Sequence, residues 1–253
     1  MAPVVLHQRW RELLFLHWAA PPSALRSLIP DELDLDLWEG RAYVGVIPFV
    51  ITETRARFLP PLPGLSEYYE INTRTYVRRR RSGRSSAAAT GGAAGESGVW
   101  FFALDASNVA MVAGARAGWQ LPYFPCTAQR RHRPQPGGAV TRYRSARIGP
   151  VATPGELHVE YRVHEALGSA APGTLEHFLV ERYVLFTKLR PVGLMVGQVR
   201  HQPYSLRRVE LLKLDCETLA RSLKLPPPTG DVHAVYSPGV DVDILAPRRA
   251  RGG

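Results

Sequence analysis

In the run RAYVGVIPFVI (41–51) both alternating sets of side chains are apolar: Val44, Val46 and Val50 on one side, Tyr43, Ile47 and Phe49 on the other. Side chains of a strand alternate between the two sheet faces. A strand apolar on both must be covered on both, which suits a central position in a barrel or sandwich. Pro48, inside this run, cannot donate to a ladder and predicts a bulge or an edge.

Other runs have the same period. LDLDLW follows a short predicted helix at 23–29, and VWFFALDA (99–106) reads as the hairpin partner of residues 69–81. Further strands are predicted at 123–131, 139–148, 156–165, 182–189, 193–201 and 232–236. Helical spacing is confined to NVAMVAGARAGW (108–119), with Asn108 as cap, and to short stretches at 174–181 and 215–222. With about nine strands and no βαβ rhythm, the expected class is α+β, mainly antiparallel β. Residues 1–245 read as one domain, 82–98 as a low-complexity, mobile insertion in a hairpin, and 246–253 as a disordered basic tail.

The 253 residues carry 32 Lys+Arg against 22 Asp+Glu, which raises the question of nucleic acid. Fourteen of the basic residues lie in 78–84, 130–147 and 248–251, which hold no acid; the remainder has 18 basic against 22 acidic residues. The 78–98 segment offers no aromatic side chain to stack on bases, so nucleic acid is disfavoured as a partner. No apolar run approaches the roughly 18 residues of a membrane helix, and the N-terminus lacks a signal-peptide pattern. Cys126 and Cys216 are too few for a disulfide framework and read as buried. A reduced, cytoplasmic protein with no metal and no cofactor is expected. The eight histidines show no metal-ligand spacing, and the common nucleotide and hydrolase motifs are missing from the sequence.

The most informative constellation is YEINTRTYVR (69–78). Glu70, Asn72, Arg74 and Tyr76 share one face of a strand; Ile71, Thr73, Thr75 and Val77 share the other. Facing outward, the polar row is ordinary solvated sheet. Facing a barrel interior, Glu70 and Arg74 must pair or bind something polar. Arg116, on the Ala-rich helix, offers a further cation.

The stretches FLHWAAPPSALRSLIPDELDLDLWEGRAYVGVIPF, LPPLPGLSEYYEINTRTYVR, GVWFFALDASNVAMVAGARAGWQLPYF, VERYVLF and GQVRHQPYSL, in that order over about residues 10–215, resemble the YqjF-like family, a bacterial group labelled as a domain of unknown function (DUF2071). That family is similar in outline to acetoacetate decarboxylase, whose cone-like β-barrel surrounds a small-molecule pocket. The resemblance places Glu70 at the decarboxylase's acidic strand position, Arg116 at its arginine and Pro122 at its proline. Tyr123 stands where the Schiff-base lysine belongs, and no lysine precedes Lys188, which reads as a surface residue. A phenol cannot form an imine. The resemblance therefore implies the fold and the pocket but not the decarboxylase reaction.

Three functions follow as expectations. The first is binding of a small anionic or carbonyl-containing molecule by Glu70, Asn72, Arg74, Tyr76, Arg116 and Tyr123. The second is a lyase, hydratase or isomerase with Glu70 as general acid/base and Tyr123 or Arg116 stabilising an oxyanion. The third, weakest, is a nucleic-acid or anionic-surface binder using Arg78–Arg81, Arg130, Arg131 and Arg133. His17 and His201 are secondary pocket candidates, against the reading of both as hydrogen-bonded core imidazoles. A homodimer through an edge strand stays open.

Overall fold

A computed structural model describes residues 2–61, 64, 66–80, 96–149 and 153–250. In chain order the elements are β1 (Val4–Ala20), α1 (Pro22–Arg26), β2 (Leu33–Leu35), β3 (Ala42–Ala56), β4 (Tyr68–Arg79), β5 (Ser97–Ala106), α2 (Val109–Trp119), β6 (Tyr123–Arg133) and β7 (Val140–Arg147). They continue with β8 (Glu156–Gly168), α3 (Leu175–Val180), β9 (Val184–Leu189), β10 (Gly193–Arg200), β11 (Leu206–Asp215), α4 (Glu217–Ser222), β12 (His233–Leu245) and β13 (Arg248–Arg249). The strands form one sheet in the order β13-β10-β9-β5-β6-β7-β8-β11-β12-β1-β3-β4-β2.

Two additional pairings, β4 with β5 and β10 with β12, close this sheet twice. One closure is a ring of nine strands, β5-β6-β7-β8-β11-β12-β1-β3-β4; the other is a ring of seven, β5-β9-β10-β12-β1-β3-β4. The five strands common to both form a shared wall, which explains the doubly apolar run. Tyr43, Ile47 and Phe49 of β3 pack in one core with Leu13, Phe15, Tyr76 and Leu179. Val44 and Val46 pack in the other with Leu14, Leu16, Trp18, Tyr143 and Tyr161.

The pairings are antiparallel except β5–β6 and β5–β9, which are parallel. The sheet is thus mainly antiparallel, as expected, with two parallel pairings that the sequence did not indicate. Helix α2 bridges β5 and β6 and so permits the parallel return; the Asn108 side chain caps it by accepting from the Ala110 and Met111 amides.

Pro48 sits where the β1–β3 ladder is interrupted, between the Arg11–Val50 and Leu16–Val46 partners. Its missing N–H is harmless there, and Glu12 in β1 takes a positive φ of 58° at the same break. Strand β11 was not expected from the sequence, and β1 extends through the whole N-terminal segment. The expected tail is not free over its first part: Arg248 and Arg249 pair with Val196 and Met195 of β10. Of the insertion expected at 82–98, residues 82–95 lie outside the described residues, while Ser97 and Gly98 belong to β5 and pair with Arg78 and Val77. No helix among the described residues is long and apolar enough to cross a membrane.

Candidate functional site

Strand β4 lies between β3 and β5 in the shared wall, so neither of its faces meets solvent. Ile71, Thr73, Thr75 and Val77 are buried on one side. Glu70, Asn72, Arg74 and Tyr76 are buried on the other, at 4%, 9%, 8% and 0% exposure. Tyr76 belongs to the core of the seven-strand ring, so the polar row points into that ring.

At one end of the row the Tyr123 hydroxyl donates to Glu70 Oε2 at 3.2 Å. Burial pushes the Glu70 carboxyl up to about 8; hydrogen bonds from Tyr123 and Asn72 oppose the rise, and the nearby Asp105 charge adds to it. Tyr123 is itself held well above the ordinary phenol range, by burial first and then by the Glu70 charge. Asp105 is paired with Arg147 at 2.6 Å, and both side chains are almost fully buried. Arg147 also lies over the Phe124 ring at 4.1 Å.

At the other end, Arg74 Nη2 and the Tyr76 hydroxyl both donate to the Leu179 carbonyl of α3, at 3.0 and 2.8 Å. Helix α3 thereby closes the ring over the row. Beyond Arg74 lies His17. The two are not adjacent strand partners; Gly45 stands between them, opposite His17 on β1 and opposite Arg74 on β4. A Cβ at Gly45 would come within 2.9 Å of His17 Cδ2, so glycine is what lets the imidazole lie across β3. Burial lowers the His17 pKa well below its ordinary value, helped by the His233 and Arg74 charges, and the ring is neutral at pH 7.

Several buried polar atoms here have no hydrogen-bond partner among the described residues: both His17 ring nitrogens, Asn72 Oδ1 and Arg74 Nε. His17 is thus buried, as the core reading expected, but not hydrogen-bonded.

The remaining candidates lie elsewhere. Arg116 is exposed; its Nε donates to the Tyr123 carbonyl at 2.7 Å, which anchors the start of β6 from outside. His201 is half-buried, bonded through Nδ1 to the Gln202 carbonyl at 2.7 Å and packed between Tyr183 and Tyr204. It lines an open cleft of about 800 Å³ with Gln8, Tyr183 and Gln198, and that lining does not include Glu70, Asn72, Arg74 or Tyr123. Gln8 connects cleft and row: its amide donates to the Tyr68 hydroxyl at 3.4 Å, and the Glu70 charge acts on Tyr68. Sequence reasoning missed Tyr68, although it continues the alternation of the row by one step. It also missed the Asp105–Arg147 pair, whose members are far apart in sequence and carry no local signal.

Lys188, Lys213 and Lys224 are all exposed, and Lys188 pairs with Glu32 at 2.7 Å. Cys126 and Cys216 are free and buried, and burial pushes their thiols up to about 12 and about 11. Among the described residues no cluster of three or more His, Cys, Asp or Glu could hold a metal ion.

The doubly closed β-sheet is the architecture of acetoacetate-decarboxylase-like proteins, with which the chain superposes. The chain belongs to the family described as "DUF2071: Uncharacterized conserved protein", which matches residues 7–241. "Uncharacterized protein YqjF" of Bacillus subtilis (strain 168) is 33% identical over 223 residues, spanning 88% of this chain and 84% of that protein. Among solved structures, the enduracididine biosynthesis enzyme MppR complexed with pyruvate superposes with a TM-score of 0.61 at 13% identity, over 98% of this chain and 91% of that one. An acetoacetate decarboxylase-like enzyme from Sphingomonas wittichii RW1 gives 0.59 at 14% identity, over 99% and 95%. Acetoacetate decarboxylase from Legionella pneumophila subsp. pneumophila str. Philadelphia 1 gives 0.57 at 15%, over 97% and 89%. At such identities these structures establish the shared fold.

Proposed function

We propose that the chain, as a cytoplasmic protein, binds a small molecule carrying a carboxylate or carbonyl group inside the seven-strand ring, with Arg74 as its anchor. The observation that carries this reading is the set of buried, unpartnered polar atoms: Arg74 Nε, Asn72 Oδ1 and the two His17 nitrogens. Each unmet buried group costs roughly 1–3 kcal/mol, and a ligand that meets them recovers that cost. The charge balance favours an anion. Glu70, four positions N-terminal on the same strand face, is protonated at neutral pH with a pKa of about 8. Arg74 donates to a neutral carbonyl, so a carboxylate would supply the counter-charge. That the MppR structure holds pyruvate, a small carboxylate with a carbonyl, accords with this choice of ligand class.

The ligand would not be held as an imine. The three lysines are exposed, and Tyr123 occupies the position that the resemblance gives to the Schiff-base lysine. A second reading, a lysine-independent lyase, hydratase or isomerase, is favoured by one observation. Glu70 has a pKa of about 8 and a hydroxyl bonded to it, which suits a group that gives and takes a proton near neutrality.

The test is a thermal-shift screen of pyruvate, acetoacetate and related small carboxylates against the wild-type chain and Arg74→Met. A ligand of the native state raises the melting temperature in proportion to the logarithm of its concentration. The shift is expected in the wild type and not in Arg74→Met. An equal shift in both, or none from any compound in the wild type, refutes the anchor.

A further inference from the structure

Of the arginines of residues 130–147, Arg147 is buried against Asp105 and Arg130 pairs with Glu12, while Arg131, Arg133, Arg142 and Arg144 lie on the outer surface of the sheet. On the solvent face of β6 and β7, Arg131 stands directly opposite Arg142, and Gln129 opposite Arg144. Arg133 continues the same face of β6 two residues on. Paired strands lie about 4.8 Å apart and alternate residues about 7 Å apart. The four guanidinium groups therefore form a compact grid. Glu160 on β8 takes the Nε of Arg142 at 2.8 Å and also meets His158 at 3.0 Å. Arg131, Arg133 and Arg144 have no acidic partner among the described residues. Opposed like charges destabilise a sheet, so this arrangement is a cost to the fold unless an anion relieves it.

The grid is also concave. Its four arginines and Gln129 line a depression of about 140 Å³. At about 30 Å³ per water this holds roughly five waters, the size of an anionic head group. Gln129 and Arg144 are shared with an adjoining groove of about 580 Å³, bordered also by Thr127, Ser145, Glu156 and Asp215. That volume lies within the roughly 300–1,000 Å³ range of small-molecule sites.

We propose that this outer face binds a phosphorylated, hydroxyl-rich small molecule. Its phosphate sits on Arg131, Arg133 and Arg144, and its hydroxyls extend along the groove toward Glu156 and Asp215. Guanidinium groups match phosphate oxygens in pairs, and carboxylates accept from hydroxyls. A nucleic acid fits less well, because the linings hold no Phe, Tyr or Trp on which a base could stack, and their one aromatic ring, His158, is bonded to Glu160 at 3.0 Å. The site is independent of the ring interior, since it lies on the opposite face of the sheet from Tyr143 and Tyr161.

Calorimetric titration of the full chain tests the proposal, with glucose 6-phosphate, glucose, inorganic phosphate and a single-stranded oligonucleotide as probes. The expected result is saturable binding of glucose 6-phosphate, tighter than that of glucose or phosphate. Arg131→Gln/Arg144→Gln should weaken it by at least about tenfold, the effect of losing roughly 1.4 kcal/mol. Arg57→Gln, an exposed arginine elsewhere that removes one charge, should leave it within about twofold. Because the double variant removes unpaired surface charges, its melting temperature should not fall; should it fail to fold, the single Arg133→Gln carries the same comparison. No saturable binding, an equal loss in Arg57→Gln, or tighter binding of the oligonucleotide would each overturn the assignment.

Discussion

Replacing Glu70 by glutamine should make the protein more stable at neutral pH, and the gain should disappear in acid. The native carboxyl titrates near 8, against an ordinary value of 4.5, with burial as the main cause. The native state therefore holds a proton that the unfolded chain releases above pH 4.5. Stability is full below that pH and is lost as the pH rises toward 8, at about 1.4 kcal/mol for each pH unit. At pH 7 the accumulated loss is about 3 kcal/mol, and it levels off above pH 8. Glutamine has no proton to lose, and its carbonyl can still accept from the Tyr123 hydroxyl. For a chain of this size 3 kcal/mol corresponds to roughly 6–12 °C in melting temperature. Urea unfolding of both proteins between pH 4 and 9 measures the difference directly, and other titrating groups cancel in it. Curves that run parallel across the range would show that Glu70 is an ordinary carboxylate, and the acid/base reading would go with it.

Two further perturbations probe the walls of the site. Asp105→Asn removes the counter-charge of Arg147, whose side chain is 1% exposed; an uncompensated buried cation should cost about 3–5 kcal/mol, and a loss under about 1 kcal/mol in urea unfolding would contradict the pairing. Gly45→Ala places a Cβ 2.9 Å from His17 Cδ2 and should cost about 1–3 kcal/mol by overpacking. In a His17→Ala background that cost should largely vanish, and equal costs in the two backgrounds would show that the imidazole does not lie across Gly45.

The sequence by itself determined which residues share a face. Alternation put Glu70, Asn72, Arg74 and Tyr76 together, and the doubly apolar run at 41–51 required that β3 be covered on both sides. The pattern of caps and prolines located α2, and composition located the arginine clusters. Other features were illegible for physical reasons. In β4 the set opposite the polar row mixes Ile71 and Val77 with Thr73 and Thr75, so polarity alone could not say whether the row faced solvent or an interior. Strand β11 (LRRVELLKLD) escaped because its outward charges and bulged register break the alternation. Arg116 looked like a pocket cation, but α2 buries only Val112 of its residues and leaves the guanidinium outside.

What the tertiary structure alone decided is the closure. The β10–β12 pairing and the parallel β5–β6 and β5–β9 pairings join segments distant in sequence, and no local propensity encodes them. Those pairings turn the row on β4 into the lining of an enclosed ring, bring Tyr123 to Glu70 and Leu179 to Arg74, and raise the Glu70 pKa by excluding water. A strand's side-chain period is written in its own residues; its solvent is chosen by its neighbours.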